Sequence, residues 1–193
     1  MFSAVVLAAG LSSRMGQNKL LLPLGNQPLI EWVLNAVFAA DIADVVVVTG
    51  HEAERLKPIL KKYNVKIIKN DAYRRGQATS IRIGTNALNE KSRACFFIMG
   101  DQPFLDANLL RAMIAAFKSG DIIRPIAANC VGSPVLFGAD YYCELRNLPL
   151  DSTGKRVMQQ NHKAVRDFRW HDDKQFIDID DPETYRMVKT LLL

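Results

Sequence analysis

The chain has 193 residues, 49% of them apolar, and 25 Lys and Arg against 20 Asp and Glu, for a formal charge of +5. That is the length of one large domain with enough apolar residues for a substantial core. The basic residues are scattered, without a Lys/Arg-rich run, so the cationic excess favours a small polyanionic substrate over nucleic acid. Met1 to Val5 lack the charged leader of a secretory signal and no apolar run reaches the length of a membrane span, so a soluble, cytoplasmic protein with no membrane partner is expected. Cys95, Cys130 and Cys143 form an odd, widely spaced set and are read as free thiols. His51, His162 and His171 share no ligand spacing with one another or with the cysteines.

Along the chain, short β-branched runs alternate with helical patterns. Buried strands are predicted at 3–8, 45–49, 65–69 and 94–99, with helices at Leu29–Ala39, Glu52–Leu60, Ala78–Leu88 and Asn108–Phe117. Beyond Gly120 the pattern loosens into shorter strands near Ile122–Arg124, Pro134–Phe137 and Ala164–Phe168. A final helix from Pro182 to Leu192 has Asp181 as its cap, and Tyr185, Met187, Val188 and Leu191 are expected to close the core. The prediction is a single α/β domain, 1–193, with a Rossmann-like, wound, mixed but mostly parallel sheet and helices on both faces. Near-continuous apolar strands such as Val45 to Val48 suit such a sheet, and ligands bind at the carboxyl edge of its strands.

Two stretches fall at that edge. The first strand runs into Ala9-Gly10-Leu11-Ser12-Ser13-Arg14-Met15-Gly16-Gln17-Asn18-Lys19. Glycines let the backbone approach phosphate, successive amides can form an anion nest, and Arg14 and Lys19 supply charge. An ordinary strand-to-helix turn with solvated cations is the alternative. The stretch is neither a Walker loop, which needs Lys directly after its second Gly, nor the dinucleotide fingerprint G-x-G-x-x-G. The second stretch, Phe96 to Met99 followed by Gly100-Asp101-Gln102-Pro103, delivers a carboxylate at the same edge. Mg²⁺ needs only one or two such ligands when phosphates supply others, although a tight turn before Pro103 would also account for Asp101. Ile177-Asp178-Ile179-Asp180-Asp181-Pro182-Glu183 concentrates further carboxylates at an expected strand-to-helix junction, where a metal or the helix end could hold them. No Ser/His/Asp or Cys/His arrangement is evident.

The L-A-A-G-x-S-x-R-M-G loop with Lys19, the G-D-Q-P segment at Gly100–Pro103 and D-I-D-x-P-E-x-Y at Asp178–Tyr185 occur in that order across nearly the whole chain. Together they resemble the MobA-like nucleotidyltransferases, the family of the molybdenum cofactor cytidylyl- and guanylyltransferases. Gly76-Gln77-Ala78-Thr79-Ser80 is similar to the segment that lies near the nucleotide base there, although Thr79 or Ser80 could also serve only as a helix cap. The resemblance implies a nucleotide-diphospho-sugar transferase-like fold and transfer of CMP from CTP to molybdopterin-type cofactor, with pyrophosphate released. It implies catalytic roles for Arg14, Lys19 and Asp101. Nucleotide contacts would come from Leu7, Ala8, Ala9, Gly10, Ser12, Ser13, Gly76 and Ser80, and Mg²⁺ would be held by Asp101 and Asp180. Residues to about 105 would bind the nucleotide and the remainder the acceptor. Ala9, in place of the first Gly of the guanylyl variant's Leu-Ala-Gly-Gly, favours CTP.

The chain departs from the family at Ser133 and at Leu150-Asp151-Ser152-Thr153-Gly154-Lys155-Arg156, which would face the acceptor. Lys155 and Arg156 are equally compatible with a phosphate and with bulk water. A nucleotidyltransferase for another phosphorylated acceptor, such as a sugar phosphate, therefore stays open. So does a non-catalytic nucleotide- or cofactor-binding accessory of a molybdoenzyme, and a molybdoenzyme or chaperone could in either case be a transient partner.

Overall fold

The computed structural model describes residues 1–128 and 130–192. The first half contains β1 (Phe2–Ala8), the hairpin β2 (Pro23–Leu24) and β3 (Gln27–Pro28), α1 (Leu29–Ala39), β4 (Asp44–Thr49), α2 (Ala53–Leu60), β5 (Lys66–Lys69), α3 (Gln77–Asn86) and β6 (Ala94–Met99). There follow α4 (Ala107–Ala116), β7 (Ile122–Ala127), β8 (Cys130–Val131), β9 (Val135–Gly138), α5 (Tyr142–Arg146), α6 (Gly154–Gln160), β10 (Val165–Arg169) and α7 (Pro182–Leu191).

The main sheet runs β10-β7-β9-β6-β1-β4-β5, with β8 pairing β7. β9 lies antiparallel to β6 and β7, and β8 antiparallel to β7, while the remaining pairs are parallel. Helices cover both faces, as the wound, mostly parallel α/β prediction requires. Val45 and Val47 pack with α1, α2 and α4, whereas Val46 and Val48 pack with α3 and α5. All four valines are buried, because successive strand side chains point to opposite faces and both are covered.

The predicted elements of the first half recur within one or two residues, and Leu29–Ala39 and Ala94–Met99 match end to end. Several expectations change. Strand 65–69 is not buried: β5 is the sheet edge, with Lys66 and Lys69 exposed, which discourages pairing with another chain. No strand leads directly into α7; residues 177–180 follow a short turn without regular secondary structure. In α7 only Val188 is fully buried, flanked by half-buried Tyr185 and Leu192, while Met187 and Leu191 are exposed. Positions 185, 188 and 192 form the helical stripe, and 187 and 191 lie off it. Asp181 does cap α7, its carboxylate accepting from Thr184 N–H at 2.8 Å. No helix among the described residues is long and apolar enough to cross a membrane.

The strand order locates the site. The chain steps outward from β1 to β4 and β5, then returns to lay β6 on the other side of β1. At such a reversal the connections leave the carboxyl ends of the two central strands in opposite directions and open a crevice. The loop after β1 and Gly100-Asp101 after β6 both border it.

Candidate active site

A cavity of about 420 Å³ occupies this crevice. Its walls include Leu7, Ala9, Gly10, Ser12, Ser13, Arg14, Lys19, Gly76, Ser80, Asp101 and Asp180. The candidate residues named from sequence thus converge, with one exception. Ala8 points away from the cavity into the core on the α1 face, 1% exposed, because it alternates with Leu7 and Ala9 along the strand.

The loop after β1 is shaped by its own polar groups. Ser12 adopts a left-handed conformation and its Oγ accepts from Lys19 N–H at 3.2 Å, folding the loop back on itself. Gly16, with φ +66°, makes the turn that an L side chain would resist. Amides of Leu11, Ser12 and Ser13 donate to no acceptor among the described residues. They remain available to an anion. Asn18 closes the loop by accepting from Leu20 N–H at 3.1 Å and donating to the His51 carbonyl at 3.2 Å.

On the opposite wall, Gly76 starts α3 with φ +105°. Neither Thr79 nor Ser80 caps the helix: Thr79 Oγ1 donates to the Gly76 carbonyl at 2.8 Å. Buried Asn70 donates to both Thr79 Oγ1 and Ser80 Oγ, at 2.8 and 2.9 Å. The Ser80 hydroxyl therefore keeps its own proton for a ligand acceptor. Gly50 admits Tyr73 and Ala9, since a Cβ there would stand 2.7 Å from Tyr73 Cβ and 2.9 Å from Ala9 Cβ. Leu11, Leu20, Tyr73, Arg74, Gln77 and Met99 also line the cavity and were not singled out from sequence. The proximity of Tyr73, Arg74 and Gln77 to the Gly76–Ser80 motif was the available signal.

The charged floor joins three distant parts of the chain. Ile179 N–H donates to the Asp101 carbonyl at 3.1 Å, and the Ile179 side chain is wholly buried. This anchor sets Asp180 beside Asp101. Lys19 Nζ lies between them, 2.8 Å from Asp180 Oδ1 and in direct contact with Asp101 Oδ2. Arg14 reaches Asp180 Oδ2 at 2.7 Å from a largely exposed position. Burial opposes the Lys19 charge, but Asp101 and Asp180 outweigh it and hold its pKa above the ordinary lysine value. The Lys19 hydrogen bond, its charge and that of Arg14 pull Asp180 below the usual carboxylate range against its partial burial. Asp178 keeps solvent access on one side, yet packing around its carboxyl and the charge of Asp101 push it up to about 6.

Asp101 and Asp180 are oxygen donors suited to a hard divalent cation, and Asp101 Oδ1 is buried with no hydrogen-bond partner. No group of three His, Cys, Asp or Glu among the described residues forms a closed metal site. The donor set therefore fits an open ion that takes further ligands from phosphate. Lys155 and Arg156 are exposed and do not line the cavity. Their segment nevertheless adjoins it, as a Cβ on Gly76 would stand 3.0 Å from the Leu150 carbonyl. The three cysteines are free, Cys95 buried and the other two exposed.

Comparisons with known proteins agree with this architecture. Molybdenum cofactor cytidylyltransferase of Escherichia coli K12 is 26% identical over 188 residues, covering 96% of this chain and 94% of its own. The bifunctional protein GlmU of Geotalea uraniireducens is 29% identical over 138 residues, and there the match spans only 30% of the relative. Among solved structures, a nucleotidyl transferase from Methanothermobacter thermautotroptrophicus superposes with a TM-score of 0.84 at 25% identity, covering 99% of this chain and 97% of that one. The model of the MobA-like NTP transferase domain matches residues 4–165, and the chain belongs to that family of nucleotidyltransferases.

Proposed function

We propose that the protein transfers CMP from CTP to the phosphate of a molybdopterin-type cofactor, with Mg²⁺ as cofactor and pyrophosphate as the second product. The observation that carries this reading is the cluster Arg14, Lys19, Asp101 and Asp180 at the sheet's switch point, beneath a loop with open amides. It is supported by similarity over nearly the full length to a protein named molybdenum cofactor cytidylyltransferase.

The roles follow from charge and position. Arg14 and the Leu11–Ser13 amides hold the β and γ phosphates, while Leu7, Ala9, Gly76 and Ser80 receive the base, with Ser80 donating its free hydroxyl proton. Ala9, between Gly50 and the cavity, limits the room beside the base and favours CTP. Lys19 stabilises charge that grows near the α-phosphorus in the transition state. Asp101 and Asp180 hold the Mg²⁺, which when bound screens the repulsion between the two anionic reactants. A phosphate monoester, whose second pKa is about 6, is mostly dianionic near neutrality. Its oxygen forms the new bond to the α-phosphorus as the bond to the β-phosphate oxygen breaks, and no protein base is required.

In this reading residues to about 105 serve the donor, while the later part receives the acceptor and lends Asp180 to the metal. A second acceptor class, a sugar phosphate, is favoured by one observation: the atypical 150–156 segment adjoins the cavity at Gly76. The test is Asp101→Asn, expected to keep the fold by circular dichroism and to lose Mg²⁺-dependent pyrophosphate release. Undiminished turnover would remove Asp101 from the mechanism.

A further inference from the structure

In the structure the position between Asp101 and Asp180 is taken by the Lys19 ammonium, which bonds Asp180 Oδ1 at 2.8 Å and contacts Asp101 Oδ2. Side chains of Lys19 and Asp101 are only 11% and 9% exposed, so little water is available to replace either partner. The other Asp101 oxygen, Oδ1, is buried without a hydrogen-bond partner. Lys19 and Arg14 already pair the Asp101 and Asp180 carboxylates at this floor. A divalent ion added while Lys19 stays would face an ammonium within a few ångströms in a poorly solvated place, where repulsion far exceeds that in water. Lys19 has a flexible four-carbon stem and can swing to another anion if one arrives. A triphosphate, which lies above it in the proposed reading, is that anion.

We propose that Lys19 and the divalent cation are alternative occupants of the Asp101–Asp180 pair, so that the metal is retained only when nucleotide phosphates draw Lys19 away. This rests on the metal reading given above. It adds a binding order: the free protein holds metal weakly, and nucleotide and metal are retained together. Coupling of this kind keeps the site from taking up a metal ion before its substrate is present, and it is reciprocal, so metal strengthens nucleotide binding by the same factor. Lys19 is thus the resident counter-ion of the carboxylates as well as a phosphate contact.

The test is a titration of the purified full chain with Mn²⁺, followed by electron paramagnetic resonance without nucleotide. Lys19→Gln is expected to bind Mn²⁺ at least 10-fold more tightly than wild type, and Lys19→Arg no more tightly than wild type. The gain must vanish in Lys19→Gln/Asp101→Asn, which ties it to this pair. Equal, weak Mn²⁺ binding by wild type and Lys19→Gln would overturn the exchange. A wild-type protein that shows no bound Mn²⁺ even with a non-hydrolysable methylene analogue of CTP would instead overturn the metal reading itself, and the exchange with it. A measurement on wild type alone guards against a misfolded variant. The Lys19 Nζ resonance, observed by NMR, must keep its chemical shift with Mg²⁺ alone and change it with Mg²⁺ plus the analogue, as the ammonium passes from carboxylate to phosphate. A resonance that stays unmoved in both overturns the proposal.

Discussion

Gly84 lies in α3 where the helix presses onto the sheet, and Gly84→Ala tests how tightly this wall of the cavity is fixed to the strands. A Cβ there would stand 2.5 Å from Val5 Cγ1 and 3.2 Å from Val48 Cγ2. Favourable carbon contacts begin near 3.5 Å, so the first overlap is about 1 Å deep. Val5 and Val48 are both 0% exposed and have no free space into which to retreat. Replacing a helical glycine by alanine gains about 1 kcal/mol of propensity. Overpacking a close-packed core costs about 1–3 kcal/mol, and an overlap this deep between branched side chains belongs at the upper end. The clash therefore wins by about 2 kcal/mol, which in a chain of this length lowers the melting temperature by about 4–8 °C. Because Gly76, Gln77 and Ser80 ride on the same helix, CTP affinity should fall as well. Thermal unfolding by circular dichroism and calorimetric CTP titration would measure both. Val5→Ala, which removes the opposing methyls, should cost less in the Gly84→Ala background than alone. A variant as stable as wild type, with unchanged CTP affinity, would refute the close-packing argument.

Asp44 accepts from Ser3 Oγ at 2.7 Å, Asn89 N–H at 3.1 Å and Lys66 Nζ at 3.0 Å. Burial opposes its charge, but these partners together hold its pKa below the ordinary 3.8. The stabilisation is thus present above pH 3.8 and fades as pH falls through the lower folded value. Asp44→Asn should be about 2 kcal/mol less stable than wild type at pH 7 in urea unfolding, and the gap should narrow at pH 3; a gap independent of pH would contradict the role of the charge. Lys19→Ala should lower kcat for pyrophosphate release by about 100-fold or more, with a smaller loss of CTP affinity. Equal losses would make Lys19 a docking residue only. Gly132 lies under Phe176, where a Cβ would come within 2.2 Å of the ring. Gly132→Ala should displace Phe176 and the following Asp178–Asp180 segment, reducing turnover several-fold and stability by about 1–3 kcal/mol. Normal turnover would uncouple that packing from the site.

The two strand exits that border the cavity were legible because they are written locally. An apolar strand that ends in Ala9-Gly10, and another that ends in Gly100-Asp101, announce both their burial and their polar exits. The wound sheet then brings those exits together. Less could be read where tertiary position decides. Lys66–Lys69 has the run of a buried strand, but only the sheet order makes it an edge. Asp180 was recognised by motif, yet its bonds to Lys19 and Arg14 depend on an Ile179–Asp101 backbone contact across 78 positions of sequence that no periodicity encodes. Tyr73 and Arg74 stayed hidden because a short turn carries no repeat, and the space for Tyr73 comes from the distant Gly50. The short helices α5 and α6 were missed since five and seven residues are too few to show a helical period.

Pyrophosphate release is the direct readout of CMP transfer to the cofactor. The purified protein would be given Mg²⁺ and each of CTP, GTP, ATP and UTP, with and without molybdopterin cofactor. Release that requires both CTP and the cofactor is the predicted result. Release with CTP only when a sugar phosphate replaces the cofactor would contradict the acceptor while leaving the donor site intact. Bound nucleotide without pyrophosphate under every condition would contradict catalysis itself.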